Sequence, residues 1–187
     1  MDKTRKPKID LSWSEMLHLV DSLIKDRKYS IAAIVYIGCH TGMRISDILS
    51  MRWCDLIDKK QISFMESRTS KLRTIKLSED NQRFLSNIYS LLGVKEVESF
   101  CFISRKHTVF SVQRVNVMLK EINSQYSLGI EHFTTNTLRV TYGRQVYRKS
   151  KGKAIDGLRE YFSHPTIDFT LNYLHINRTK IDGQLIT

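Results

Sequence analysis

From residue 31 to residue 39 the chain reads Ile-Ala-Ala-Ile-Val-Tyr-Ile-Gly-Cys, with no charged side chain. That run falls far short of the roughly 20 apolar residues that cross a bilayer, so its surface has to be covered by the rest of the chain. A helix over 30–40 that is apolar almost all round belongs deep in a core. Thr41-Gly42 ends it, because glycine can take the left-handed cap. The covering material is present: 41% of the 187 residues are hydrophobic and 10% aromatic, which excludes wholesale disorder. With only 8 Gly and 2 Pro, collagen-like and low-complexity classes are excluded as well. No signal peptide opens the sequence, and the expectation is a soluble, cytoplasmic protein.

The other elements follow from period and punctuation. Ser12-Trp13-Ser14-Glu15 has the spacing of a capping box, and Leu17, Val20, Leu23 and Ile24 then recur at helical spacing. A third helix carries Ile45, Ile48 and Leu49. Past Trp53 the period becomes alternating, with Ile62 and Phe64, a polar turn over 67–73, then Ile75 and Leu77, which reads as a β-hairpin with a basic turn. Ser78 caps a helix that Gly93 stops. Residues 100–103 read as a short extended piece, and helices are expected after Ser111, over 136–147, over 155–163 and over 166–174. The fold class is mainly α with a small antiparallel β-sheet (α+β). The divisions expected are a basic linker or arm at 1–11, a domain at 12–176 and a tail at 177–187.

Lys and Arg number 30 against 19 Asp and Glu, a formal net charge of +11. A surplus of that size points to a polyanion as partner, and composition alone does not choose between nucleic acid and an acidic membrane surface. No basic amphipathic helix stands apart from the core, which disfavours the membrane. Cys39, Cys54 and Cys101 are odd in number and lack CxxC spacing, which fits neither a disulfide framework nor a zinc site. They read as reduced and structural, and no metal or other cofactor is expected.

Three places hold polar groups that packing alone does not demand. Arg44 opens a helix just after the Gly42 turn, with Asp47 one turn on, in a position to hold it. Backbone N–H groups at a helix start beside a guanidinium fork suit a phosphate oxygen, although the same pattern serves as a surface ion pair. Asn136 and Arg139 share a helical face, a weak signal by itself. Ser163-His164-Pro165 is followed by Tyr173, and Pro165 breaks the helix so that His164 and Tyr173 can turn into one cleft. Together, two arginines, a histidine and a tyrosine without an acidic cluster make a site that stabilises phosphate and attacks it with a phenolate.

These residues resemble the catalytic domain of tyrosine recombinases, the phage-integrase type. Thr41-Gly42-Met43-Arg44-Ile45-Ser46-Asp47-Ile48-Leu49 with Arg52-Trp53-Cys54-Asp55-Leu56 resembles the family's first-arginine box. Thr137-Leu138-Arg139 with Thr141-Tyr142 resembles the second. Phe162-Ser163-His164 and Tyr173 have the spacing of its histidine and nucleophile. The resemblance implies site-specific DNA strand exchange, as in integration or inversion by mobile elements, through a 3′-phosphotyrosine and without metal or ATP. In it Tyr173 attacks, Arg44 and Arg139 clamp the phosphate, and His164 hydrogen-bonds a non-bridging oxygen. It also implies a monomer that forms a homotetramer on paired double-stranded DNA sites, with the tail after Tyr173 exchanged between neighbours.

Two departures from the family pattern stand out. Arg68 occupies the position of the hairpin-turn lysine that protonates the leaving group, and arginine is a poor proton donor. Lys71, later in the turn, is the candidate substitute. Asn136 replaces a histidine and cannot shuttle a proton near neutral pH. A slowed recombinase is therefore expected, the rivals being a catalytically impaired DNA-binding member of the fold and a type IB topoisomerase. Candidate DNA contacts are Lys71, Arg73, Arg105, Lys106, Arg148, Lys149, Lys151 and Lys153. Only a short basic segment precedes Ser12, where most family members carry a helical domain completing a DNA clamp, so the chain reads either as a catalytic fragment or as a short member lacking that domain. Weak, steeply salt-dependent binding is expected.

Overall fold

The computed structural model describes residues 8–104 and 106–177. Its elements in order are α1 (Trp13–Lys25), α2 (Tyr29–Thr41), α3 (Ile45–Leu49), a 3-10 turn (Trp53–Asp55), β1 (Gln61–Met65), β2 (Leu72–Lys76), α4 (Glu79–Leu92), α5 (Val112–Gln125), α6 (Thr135–Lys149), α7 (Ile155–Phe162) and α8 (Ile167–Tyr173). The mainly helical architecture with one two-stranded antiparallel sheet agrees with the sequence reading.

Helix α2 is the centre of the molecule. Ile31 through Cys39 are all buried, and α1, α4 and α6 pack against it. Burying a side chain of this size stabilises by roughly 1.5–3 kcal/mol, so the run that most constrains the sequence also anchors the fold. The capping box of α1 forms as expected: Glu15 N–H donates to Ser12 Oγ at 3.2 Å and Ser12 N–H to Glu15 Oε2 at 2.9 Å. The hairpin pairs Ile62 with Ile75 and Phe64 with Arg73, placing Ile62 on the core side.

A second, smaller apolar cluster joins Val140 of α6, Leu158 and Phe162 of α7, and Leu174, with Tyr142, Tyr161 and Tyr173 packed around it. It attaches the two C-terminal helices to the outer face of α6, away from the main core.

Two local features add detail to the sequence reading. The extended piece at 100–103 forms no third strand among the described residues. Its ends make isolated bridges with different partners, Phe100 with Arg52 and Ile103 with Val109, so no continuous ladder builds. Residues 8–11, read as the end of the basic arm, lie on the body: Lys8 bridges to Ile130 and Leu11 is buried. The rest of that arm, Arg105, and the tail beyond Asn177 lie outside the described residues. The three cysteines are free thiols, and burial pushes those of Cys39 and Cys101 up. No helix among the described residues is long and apolar enough to cross a membrane.

Candidate active site

A cleft of about 320 Å³ opens between the hairpin turn, the start of α3, the start of α6 and the α7–α8 junction. Arg44, Arg68, Asn136, Arg139, His164 and Tyr173 all line it. Residues chosen from four separate stretches of sequence therefore meet in one place.

Gly42 makes the first arrangement. It caps α2 in the left-handed conformation (φ 63°), and a Cβ there would lie 2.3 Å from the Tyr142 ring, so only glycine fits. The reversal sets Arg44 at the cap of α3 and turns the Gly42 carbonyl toward Arg139, which donates to it. Arg139 projects from α6, whose start is tied to α5 by Thr135 N–H donating to Asn116 Oδ1 at 2.9 Å. Leu138 meanwhile points into the core. The Arg139 guanidinium is 7% exposed as a residue and lies 4.2 Å over the Phe162 ring.

Helix α7 ends with Ser163 in the left-handed region (φ 56°), and the amides of Ser163 and His164 bond back to Glu160 and Arg159. That closure leaves the Phe162 carbonyl to other donors. It accepts from Arg44 Nη2 and Arg139 Nη2, each at 3.4 Å, so both guanidinium groups converge on one oxygen.

Tyr173 sits at the end of α8 and its hydroxyl donates to Asn136 Oδ1 at 2.6 Å. Burial raises the phenol above its ordinary value, while Arg139 and Arg44 pull it down. The His164 and Tyr173 rings meet edge to face with centroids 4.9 Å apart. Burial, then Arg139, Arg44 and Arg68, lower His164 to about 4, so the imidazole is neutral near pH 7. Its Nδ1 lies 3.1 Å from Thr170 Oγ1, which also lies 3.2 Å from the Thr166 carbonyl. One hydroxyl proton serves only one of those acceptors. When it goes to Thr166, Nδ1 carries the imidazole proton and Nε2 is a lone pair; when it goes to Nδ1, Nε2 becomes a donor.

The hairpin turn brings Arg68 to the cleft and leaves Lys71 outside its lining, with an exposed side chain at the base of the turn, where its carbonyl accepts from Glu66 N–H at 2.9 Å. What anchors the turn is Glu66, 4% exposed. It accepts from Arg44 and from the Thr69 hydroxyl and lies 3.5 Å from Arg73. Burial alone would raise this carboxyl, but Thr69, Arg44 and Arg73 outweigh it and hold it below the usual range.

Asp47 is not the partner of Arg44 that the sequence spacing suggests. Arg44 is the cap residue, with extended backbone angles (φ −70°, ψ 143°), so helical i, i+3 geometry does not apply to the pair. Asp47 instead accepts from Ser67 N–H at 3.0 Å beneath the turn, and its second oxygen is buried without a hydrogen-bond partner.

The proposed surface cations divide. Arg73 is not free: it donates to Ser163 Oγ at 3.2 Å and to the Tyr161 carbonyl at 3.3 Å, bracing the α7 end against the hairpin. Arg148 lies 3.4 Å from Asp10, and Lys149 stands 5.6 Å over the Trp13 ring. Lys106, Lys151 and Lys153 are exposed. Arg105 is outside the described residues. No group of three His, Cys, Asp or Glu gathers as a metal site among the described residues.

Sequence reasoning missed Glu66, the Phe162 carbonyl and Thr170. For Glu66 a signal existed: directly after β1 it continues the alternation of Ile62 and Phe64, so a carboxylate on the inward side required cations nearby.

The sequence model described as the Phage integrase family matches residues 11–180. "Probable integrase/recombinase YoeC" of Bacillus subtilis (strain 168) is 27% identical over 140 residues, covering 75% of this chain and 74% of that protein. "Probable integrase/recombinase protein MJ0367" of Methanocaldococcus jannaschii is 27% identical over 154 residues, covering 77% of this chain and 45% of that protein. The XerA recombinase crystal structure superposes with a TM-score of 0.72 at 21% identity, over 98% of this chain and 64% of that one. The Tn1549 transposon integrase in complex with transposon right end DNA also gives 0.72, at 18% identity, over 100% and 67%. The chain thus spans less than half of the archaeal relative and under two thirds of the XerA chain. With a match over nearly all of its length and the fold of solved recombinases, this chain belongs to the phage integrase family.

Proposed function

We propose that the chain cuts and rejoins double-stranded DNA at specific sites through a 3′-phosphotyrosine on Tyr173, slowly, acting in the cytoplasm as a monomer that assembles into a homotetramer on DNA. The observation that carries this reading is the convergence of Arg44 and Arg139 on one oxygen beside the Tyr173 phenol. Two guanidinium groups that share one acceptor are spaced to grip the non-bridging oxygens of one phosphate and to offset charge as phosphorus becomes five-coordinate.

In the forward step a bond forms between Tyr173 Oη and phosphorus and the bond to the 5′-oxygen breaks. The phenol loses its proton and the departing oxygen gains one. Attack by a 5′-hydroxyl on the phosphotyrosine reverses these changes, so the covalent bond conserves the phosphodiester energy. Asn136 orients the phenol through its carbonyl oxygen but cannot take the proton. His164 donates to the phosphate only with its proton on Nε2, the state reached when Thr170 gives its hydroxyl proton to Nδ1. Arg68 offers positive charge to the leaving oxygen and no transferable proton. Proton handling is thus the weak part of the site, and the phosphate clamp is complete.

The test compares covalent adduct formation on a nicked DNA site by wild type, Asn136→His and Arg68→Lys. Each substitution should accelerate it about 100-fold, the lower end of what a positioned acid or base supplies. An adduct that neither change accelerates overturns the slow-proton account. Absence of any adduct favours a binding module, and relaxation of plasmids lacking a special site favours a type IB topoisomerase.

A further inference from the structure

Helix α8 has seven residues, too short to persist without support, yet it must hold Tyr173 against the cleft. Its start is capped by Thr166, whose Oγ1 accepts from Phe169 N–H at 3.0 Å. At its end His175 takes a left-handed conformation (φ 52°), and the amides of His175 and Ile176 bond back to Asn172 and Leu171. The carbonyl of Leu174, the residue after Tyr173, is left over. Arg144 Nη1 donates to it at 2.8 Å.

Arg144 stands outside the cleft, on α6. Beside it Gly143 gives Leu174 room: a Cβ there would lie 2.6 Å from Leu174 Cδ2, and Leu174 is 0% exposed. The other side of the guanidinium faces Asp10. Arg144 Nε is 2.9 Å from Asp10 Oδ2, an ion pair without hydrogen-bond alignment, and Arg148 Nη2 is 3.4 Å from the same oxygen. Asp10 is itself fixed, since Leu11 N–H donates to Thr141 Oγ1 at 3.2 Å and Lys8 Nζ donates to the Leu128 carbonyl at 2.7 Å.

We propose that Asp10 and Arg144 form a positioning pair for Tyr173, linking the segment that enters α1 to the end of the nucleophile helix through the Leu174 carbonyl. The inference rests on Tyr173 as the nucleophile. Asp10 supplies the negative charge that keeps the half-buried guanidinium in place, and Arg144 fixes the far end of α8. Neither residue touches DNA in the reaction. Their effect falls on how often the phenol is aligned with phosphorus, not on how tightly DNA binds.

The experiment measures single-turnover adduct formation, DNA affinity and amide hydrogen exchange of α8 in wild type, Arg144→Met, Arg144→Lys and Asp10→Asn. Arg144→Met should slow adduct formation about 10- to 100-fold, the scale of a misplaced reacting group, while DNA affinity stays within about twofold and α8 amides exchange faster. Arg144→Lys reaches one partner at a time and should recover part of the rate. Asp10→Asn keeps the bond to Leu174 and should slow the step about threefold, which tests the pair even where Arg144→Met impairs folding. An unchanged rate with a wild-type adduct present, or a rate and affinity that fall together, overturns the positioning pair and leaves the role of Tyr173 standing. No adduct from wild type overturns the functional reading and, with it, this one.

Discussion

Arg139→Lys is expected to lower single-turnover adduct formation by about 100- to 1,000-fold, the loss found when one preorganised donor to a developing charge is removed. The size follows from what the guanidinium does in two directions at once. One nitrogen donates to the Gly42 carbonyl and another faces the Phe162 carbonyl, while the plane lies over the Phe162 ring. A lysine ammonium can satisfy one carbonyl or the phosphate, but it has no fork to span them. The carbonyl left unpaired in this buried setting should also cost about 1–3 kcal/mol of folding stability. Single-turnover rates and urea denaturation of the same variant report both effects. A rate within tenfold of wild type contradicts the assignment of Arg139 to the phosphate.

The second large effect is expected at Glu66. Glu66→Ala leaves Arg44 and Arg73 facing one another without their shared counter-ion, and removing one member of a buried ion pair costs about 3–5 kcal/mol. The lower end applies, because both arginines keep some contact with water. Glu66→Gln preserves the shape and removes the charge, so it isolates the electrostatic part. The carboxyl is held below its usual range in the folded protein, so its contribution is fully present above the ordinary value of about 4.3 and is lost as pH falls through the folded value. Wild type should therefore lose stability on acidification relative to Glu66→Gln, the two converging at low pH. Parallel pH profiles of urea stability for the two proteins contradict this. Glu66→Gln should also slow adduct formation by about tenfold or more, because it releases Arg44 and the turn that carries Arg68 together.

The contrast between Glu66 and Asp47 shows what a sequence encodes openly. The central helix, the hairpin and the caps at Ser12, Ser78 and Ser111 were legible because each depends on spacing within a few residues. Arg44, Arg139, His164 and Tyr173 stood out as a set, through the glycine turn, the proline break and the resemblance of their boxes to the family's, and the structure brings them to one cleft. The partner of Arg44 was not. Local spacing named Asp47, whereas the structure supplies Glu66 from a different stretch, and only the alternation of Ile62, Phe64 and Glu66 hinted at it. The same limit hid the Phe162 carbonyl, since a backbone acceptor has no residue type to recognise. It also hid Arg73, which reads as one more surface cation in a basic turn yet braces Ser163 and Tyr161.

The most direct test of the central claim uses a DNA site in which sulfur replaces the 5′-bridging oxygen of the scissile phosphate. A thiolate departs without a proton, so the missing proton donor at Arg68 no longer limits the step, and only loss of the phenol proton beside Asn136 remains. Digestion and mass mapping of the trapped complex should find the DNA on the peptide containing Tyr173, and Tyr173→Phe should yield none. DNA bound to any other residue, or no covalent complex from wild type on that substrate, contradicts the account.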